Sequence, residues 1–392
     1  MLNFPIYLDN NSTTRTDPKV VEKMLPYFSE KFGNPASRSH IFGIEASAAV
    51  EFSREIVAKS LNAEPDEIIF TSGATESINL AIRGITEANF TSQKNTIITT
   101  PIEHSASNAT IEALSKYGVI IKYLPVDKYG MIDIDHLDKT IDKSTLLVSI
   151  IHANNEIGTV QNMFEIANIC EENNIALHLD STQAISSIKI DTKELKADLI
   201  SFSGHKIYGP KGIGVLFINR RLRKTKVSPI ITGGNQEKGL RSGTLNVPAI
   251  VGLSEAIRIL EKNRQEEFLK ISELNRVFWE IISSKSSISV SINGALPCFQ
   301  NGNMIKRIPN NLNLRFDGIF ALNILREAKE LALSTSSACS SSDFVDSHVL
   351  KAIGLNKNEI KSSFRVGFGR FNSLEEINFS ANRIVEIVEN LK

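Results

Sequence analysis

The sequence predicts an α/β protein, with one large domain built on a mostly parallel sheet and a smaller α+β domain after it. Three observations carry this expectation. Between Glu67 and Asn219, short β-branched runs alternate with segments of helical spacing. The runs are apolar from end to end instead of alternating, as strands covered on both faces are. At 392 residues, the chain also exceeds what one hydrophobic core usually supports.

Taken in order, the strand-like runs of the large domain are Ile68 to Phe70, Thr96 to Thr100, Ile120 to Leu124, Leu146 to Ile151, Ala176 to Asp180, Asp198 to Phe202 and Gly214 to Ile218, which predicts a seven-stranded sheet. Ligands of such sheets gather just beyond the strand ends. Past Pro248 the pattern becomes helical: Ile250, Leu253, Ile257 and Leu260, then Phe268, Ile271, Leu274, Phe278 and Ile281, predict one long helix leaving the large domain. Strands at Ile288 to Ile292 and Leu312 to Phe316 follow. A helix near Phe320 to Leu331, a strand to Leu333, a strand around Phe364 to Val366 and a closing helix to Leu391 complete the smaller domain. Gly294 to Pro309, rich in Pro, Gly and Asn, reads as a surface loop. The expected division is 15–260 for the large domain, with 1–14 and 261–392 forming the small one.

Composition narrows the function classes. Hydrophobic residues make up 42% and charged residues 22%, with 44 basic against 44 acidic side chains, so no footprint for nucleic acid or a membrane surface stands out. No run stays apolar for the roughly 18 residues a spanning helix needs, and Met1 to Asn11 does not read as a signal peptide. Cys170, Cys298 and Cys339 are too few and too widely spaced for a disulfide framework or a zinc site, which suits a reducing, cytoplasmic setting.

Three constellations carry chemistry. Thr71 to Ser77 (TSGATES) follows a strand and opens a helical pattern, so free amides, small side chains and hydroxyls meet at a helix N-terminus suited to phosphate. The alternative is an ordinary Ser/Thr cap with a Gly turn. Ser201 to Lys206 (SFSGHK) closes another strand, where a lysine can form a Schiff base with a carbonyl cofactor and Ser203 and His205 can add phosphate donors. A solvated lysine in a glycine-rich turn is its bland counterpart. Asp180 ends the run from Ala176, with Gln183 three residues on, and a carboxylate there can keep a pyridine nitrogen protonated or simply cap the next turn. The three together at the ends of neighbouring strands favour one cofactor over three coincidences.

With the further segments His152 to Gln161 (HANNEIGTVQ), Asp180 to Gln183 (DSTQ), Arg241 to Leu245 (RSGTL) and Ser336 to Ser340 (SSACS), the chain closely resembles the cysteine desulfurases, fold-type I enzymes that use pyridoxal 5'-phosphate. The motifs keep their order from Tyr7-Leu8-Asp9-Asn10 to Gly369-Arg370-Phe371. The resemblance implies that Lys206 bonds the cofactor aldehyde, Asp180 pairs with the pyridine nitrogen and Gln183 touches the phenolic oxygen. Thr75, Ser203 and His205 would hold the phosphate with the backbone of Ala74, and His104 would stack on the ring and manage the proton of the substrate thiol. Thr244 would reach the phosphate of a partner subunit, which implies a homodimer. Asn154, also in cofactor contact, and Arg370 would bind the substrate carboxylate. A guanidinium offers that group a planar fork, and Arg370 is preferred here over Arg365, which sits inside a strand.

Cys339 lies in a small, polar stretch that offers nothing to bury a thiol, whereas Cys170 sits in an apolar helix pattern. The resemblance makes Cys339 the nucleophile that takes sulfur from L-cysteine as a persulfide, leaves L-alanine, and hands the sulfur to an acceptor. That acceptor would be an iron–sulfur scaffold or a thiolation carrier. Beyond a transient iron–sulfur ligand role for Cys339, no metal site is expected. Ser336 stands where relatives often have Gly, and Asp343 to Asp346 replaces a more usual Leu-Glu-Pro pattern, while the segment up to Ser347-His348-Val349-Leu350 resembles the long-loop group. The residues after Arg370 pack as a helix, and relatives serving general scaffolds often extend further, so a dedicated acceptor is expected. The competing readings are an aminotransferase or lyase of the same fold, such as a selenocysteine lyase, and a catalytically silent scaffold.

Overall fold

The structure, a computed structural model, describes residues 2–220, 226–297, 306–335 and 346–392. Its strands, numbered along the chain, are β1 (Ile6–Tyr7), β2 (Ile68–Thr71), β3 (Thr96–Thr99), β4 (Ile120–Tyr123), β5 (Thr145–Ile151), β6 (Ala176–Asp180), β7 (Leu199–Ser203), β8 (Gly214–Ile218), β9 (Val290–Ile292), β10 (Asn311–Phe316), β11 (Leu331–Ala332), β12 (Ser334–Thr335) and β13 (Ser363–Gly367). The central sheet has seven strands in the order β2-β8-β7-β6-β5-β3-β4. Only β8 runs against its neighbours, pairing antiparallel with β2 and β7.

The continuous apolar runs have their physical cause in two covered faces. Ile97, Leu147, Leu199 and Leu216 pack on one face beneath Ile78, Ile82 and Ile85 of the helix Ala74–Asn89. Their chain neighbours Ile98, Val148, Ile200 and Val215 face the opposite way. They meet Val50 and Val57 of the helix Ile41–Ser60, Ile166 of Met163–Glu172, and Ile250 and Leu253 of the helix Val247–Lys285. Each fully buried aliphatic side chain contributes roughly 1.5–3 kcal/mol, so losing either helical layer would expose half the sheet at prohibitive cost. Because the strands other than β8 point the same way, the ends of β2, β3, β5, β6 and β7 deliver Thr71, Thr99, Ile151, Asp180 and Ser203 to one edge of the sheet.

A second core belongs to the smaller unit. There β12-β13-β10-β9 form an antiparallel sheet. Phe364 and Val366 of β13 and Leu312 and Leu314 of β10 pack with Phe278 and Ile282 of the long helix and Ile384 and Val388 of the closing helix Leu374–Asn390. The helix Val247–Lys285 is continuous over 39 residues; its first half joins the large core and its second half the small one. Ile6 and Leu8 also join the small core, and β1 pairs parallel with β11. From these two clusters we propose the division 15–260 against 1–14 plus 261–392.

One expectation is corrected. Gly294 to Pro309 is not a surface loop throughout, for Gly294, Ala295, Arg307 and Ile308 are buried. Arg307 donates to the carbonyls of Asn293, Ala295 and Asn311, and its strand-like bridge to Thr159 pins the segment against the large domain. Burial without a carboxylate pushes its guanidinium down to about 9. Turn-forming residues marked the chain reversals here, but composition could not show what lay over them.

Candidate active site

At the shared sheet edge, Ala74, Thr75, His104, Asp180, Gln183, Ser203, His205 and Lys206 line a single cleft of 820 Å³, within the usual range for small-molecule sites. Lys206 sits in the tight turn Gly204–Lys206 directly after β7. Its Nζ donates to the carbonyls of Asn11 at 2.5 Å and Ser12 at 2.6 Å. Asp180 is buried at the end of β6, where its Oδ1 accepts from the amide of Thr182 at 3.0 Å and the Thr182 hydroxyl at 2.5 Å. Gln183 donates through Nε2 to the carbonyl of Asn11 at 2.8 Å.

The anion end of the cleft follows from backbone geometry. Gly73 stands before the helix Ala74–Asn89 at φ 156°, ψ 177°, and no side chain caps that helix, so its first amides remain directed outward from the turn. Gly214 lets β8 begin against this turn, because a Cβ there would lie 2.5 Å from the Gly73 backbone. His205 meets the Thr13 hydroxyl through Nδ1 at 3.1 Å. Burial, then Lys206 and Lys211, push its imidazole down to about 4.

His104 precedes the helix Ser105–Ser115 and caps it, with Nδ1 accepting from the Ala106 amide at 3.1 Å. That bond leaves the proton of a neutral ring on Nε2. Burial holds the imidazole below its ordinary value, and Lys206 and His348 act in the same sense against the pull of Asp180. Neutral His104 therefore presents a donor. Its Nδ1 is committed to the helix cap, so Nε2 is the ring atom left to act in the cleft. Glu103 beside it is fully buried and pushed up to about 8 by burial. Its Oε1 accepts from the Thr100 hydroxyl at 2.6 Å and the Ile151 amide at 3.0 Å.

Two expected substrate ligands lie elsewhere. Asn154 is 0% exposed; its Nδ2 donates to the carbonyl of Ile102, and its Oδ1 accepts from the amides of Glu156 and Ile157. A turn consumes both ends of that side chain, and Asn155 faces the cleft instead. Arg370 is likewise absent from the cleft lining. It is held by Asp17 and Glu267, both at 2.8 Å, and stacks over Tyr208 at 4.1 Å. Arg365 takes its expected place, lining the cleft while only 2% exposed. The alternation of β13 explains this: Phe364 and Val366 enter the small core, so Arg365 points the other way. Thr244 is exposed, outside the cleft of its own chain. Cys339 and Cys298 lie outside the described residues; Cys170 is buried, which pushes its thiol up to about 12.

Sequence reasoning also missed Asn11 and Ser12, from the turn after β1, and Glu103, Glu156, Ser347 and His348. Ser347 donates to Glu156 at 2.5 Å, and His348 donates from Nε2 to the carbonyl of Glu103 at 2.8 Å. Only Asn11 and Ser12 carried a signal, in the polar run that follows Leu8. Among the described residues no cluster of His, Cys, Asp or Glu could hold a metal ion.

The donor set fits pyridoxal phosphate. Thr75, Ser203 and His205 line the cleft beside the helix N-terminus and would suit a phosphate, the Lys206 amine lies in the same cleft, and the buried Asp180 carboxylate is an acceptor that a protonated pyridine would need. The model of the class-V aminotransferases matches residues 6–379. The chain is 44% identical to cysteine desulfurase IscS of Ehrlichia chaffeensis over 392 residues, covering 100% of this chain and 93% of the relative. The corresponding protein of Neisseria meningitidis is 42% identical over 389 residues, covering 99% and 93%. Among solved structures, a NifS-like protein superposes with a TM-score of 0.89 at 36% identity, over 99% of this chain and 100% of that one. SspA in complex with cysteine does so with a TM-score of 0.80 at 34% identity, over 94% and 100%. With fold, cleft and full-length similarity in agreement, the chain belongs to the class-V aminotransferase family and, within it, to the cysteine desulfurases.

Proposed function

We propose that this cysteine desulfurase moves the sulfur of free L-cysteine onto Cys339 and releases L-alanine; the observation that carries the reading is one cleft holding Lys206, Asp180, His104 and Arg365 together. When bound, pyridoxal phosphate supplies an aldehyde for the substrate amine and a ring that accepts the electrons of the Cα–H bond. Lys206 holds the aldehyde between turnovers and, once displaced, removes the Cα proton at Nζ. Asp180 would keep the pyridine nitrogen protonated, and Gln183 would contact the phenolic oxygen. Thr75, Ser203, His205 and the Ala74 backbone hold the phosphate. Arg365 and Asn155 bind the substrate carboxylate. The Cys339 thiolate attacks the substrate sulfur; an S–S bond forms, the C–S bond breaks with its electron pair going to Cβ, and a proton added at Cβ together with the one returned by Lys206 to Cα completes alanine. His104, neutral with hydrogen on Nε2, is placed to donate a hydrogen bond that orients the substrate thiol.

The working unit we infer is a homodimer. Phe28, Phe32, Ile41, Phe42, Ile44 and Phe52 are all exposed along one stretch of chain, apolar side chains that a second subunit would cover. Exposed Thr244 would then reach the phosphate of the second subunit. Sedimentation at twice the chain mass supports this, and a monomer at every concentration removes it. The sulfur acceptor is a carrier or scaffold protein serving iron–sulfur assembly or thiolation. No helix among the described residues is long and apolar enough to cross a membrane; we infer a cytoplasmic setting from the sparse, widely spaced cysteines.

Cys339→Ser tests the central assignment. The hydroxyl preserves size but is a far poorer nucleophile, so the variant should keep its cofactor absorbance and its spectral response to L-cysteine while sulfur release under reductant collapses. Undiminished release would remove Cys339 from the reaction.

A further inference from the structure

Glu76 stands where a carboxylate works against the site. It is the third residue of the helix Ala74–Asn89 and lines the cleft beside Thr75, so its charge lies close to the end suited to a phosphate. Burial favours its neutral form, but Arg241 and the Ser72 amide outweigh that and hold the carboxyl below its ordinary range. The Ser72 amide donates to Oε2 at 2.8 Å, while Arg241 approaches side-on, with Nε 2.8 Å from Oε1 and Nη2 3.4 Å from Oε2. The two side chains are only 10% and 21% exposed, so solvent screens the pair weakly. Arg241 is not among the residues that line the cleft, and it meets Glu76 from outside the space a ligand would take.

A carboxylate in a first helical turn is ordinary in itself, since the helix dipole favours it there. What its partner carries is not. Arg241 begins a short, tightly held segment: its backbone bridges Ile231, the Ser242 amide donates to the Ile231 carbonyl at 3.1 Å, and the Gly243 amide donates to Gln236 Oε1 at 2.9 Å. Gly243 takes φ 111°, a backbone that side chains resist, and Leu245 packs back against the large core. Between these fixed points Thr244 is exposed, three residues from Arg241 and outside the cleft of its own chain.

We propose that Glu76 is a positioning residue that acts across the dimer: through Arg241 it fixes the segment presenting Thr244, and so strengthens phosphate binding in the second subunit instead of its own. The proposal rests on the reading that Thr244 reaches the phosphate of the second subunit. Each cup then depends on the anchoring pair of the other chain. The sign of the effect separates this role from plain electrostatics. A carboxylate beside a phosphate repels it, so neutralising Glu76 would tighten binding if charge alone mattered. Losing an anchor weakens it.

The test is a double-mutant cycle on the full-length protein freed of cofactor. The probe is pyridoxine 5'-phosphate, which carries the ring and the phosphate but no aldehyde for Lys206. Its binding is measured by calorimetry in the wild type, Glu76→Gln, Thr244→Ala and the double variant, each at a concentration where sedimentation shows the dimer. Glu76→Gln keeps the side-chain length and an acceptor for the Ser72 amide while losing the ion pair. In the wild type it should weaken binding by about three- to tenfold, within what one hydrogen bond to a charged group contributes. In the Thr244→Ala background it should weaken binding by less than about twofold, since the anchored residue no longer makes its bond. Arg241→Lys keeps the charge opposite Glu76 but loses the side-on fork, and should repeat that pattern without touching the helix. Tighter or unchanged binding in Glu76→Gln alone, or the same weakening in both backgrounds, overturns the coupling and leaves Thr244 in place. Undiminished affinity in Thr244→Ala removes the reading of Thr244 and the coupling with it.

Discussion

Arg365 and Arg370 are five residues apart and chemically identical, and only their surroundings separate them. Arg370 closes a seam between the N-terminal segment and the long helix through Asp17 and Glu267, whereas Arg365 lines the cleft beside Asp9 and Asn155. Arg365→Lys keeps the charge but loses the fork, so the apparent affinity for L-cysteine should fall by about tenfold to a hundredfold, the equivalent of one or two charge-assisted hydrogen bonds. Arg370→Lys should leave that affinity within about twofold, because its partners are structural carboxylates. Steady-state kinetics on both variants decide it, and the reverse pattern would restore Arg370 to the substrate. The alternation Phe364, Arg365, Val366 did contain the answer, since apolar neighbours on both sides turn the arginine to the other face. Asn154 and Asn155 offered no such signal. Which of two adjacent asparagines faces the cleft depends on a turn in which Asn154 Oδ1 accepts two backbone amides.

At the scale of elements, most of the site was legible because its residues stand where strands end. Lys206, Asp180 and His104 each follow an apolar run whose length and β-branching marked it as a covered strand. The turn Asp9 to Ser12 was not, because a four-residue polar link has no periodicity to connect it to Lys206, nearly 200 positions away by the bonds it makes. The protection of the sheet edge was invisible for the same reason. Among the described residues, strand β2 has a partner only in β8. On its open side Glu237 accepts from the Phe70 amide at 2.7 Å, and Arg54 donates to the Ile68 carbonyl at 2.8 Å while forming a close two-point pair with Glu237. Glu237 and Lys238 both adopt left-handed backbone, at φ 47° and 58°, to bring that carboxylate in. Two side chains thus take the place of an eighth strand. Glu237→Ala would leave the buried Arg54 guanidinium with Glu51 as its charged partner and orphan an edge amide, and should cost about 2–4 kcal/mol in urea unfolding of the apoprotein. A cost under about 1 kcal/mol would show that water replaces the carboxylate without penalty.

In the whole molecule, the site is a seam between two cores. The large domain contributes the lysine, the aspartate and the anion cup, and the small one contributes Arg365, while the N-terminal segment, anchored by β1 and Leu8 in the small core, runs across to Lys206. Residues separated by most of the chain meet because the helix Val247–Lys285 is shared by both cores, and the bridge from Arg307 to Thr159 ties the two further. The change in hydrophobic period near Pro248 falls at the start of the helix shared by the two apolar clusters, but the crossing of the N-terminus was not readable, since a two-residue strand is too short to show a period. The most direct measurement of the central claim is peptide mass spectrometry of the purified, pyridoxal-phosphate-loaded protein after L-cysteine is added without reductant, with alanine assayed in the same sample. The account predicts one added sulfur atom on the peptide containing Cys339 and alanine in matching amount. A keto acid in place of alanine, or alanine with sulfide but no sulfur on that peptide under any loading, would contradict it.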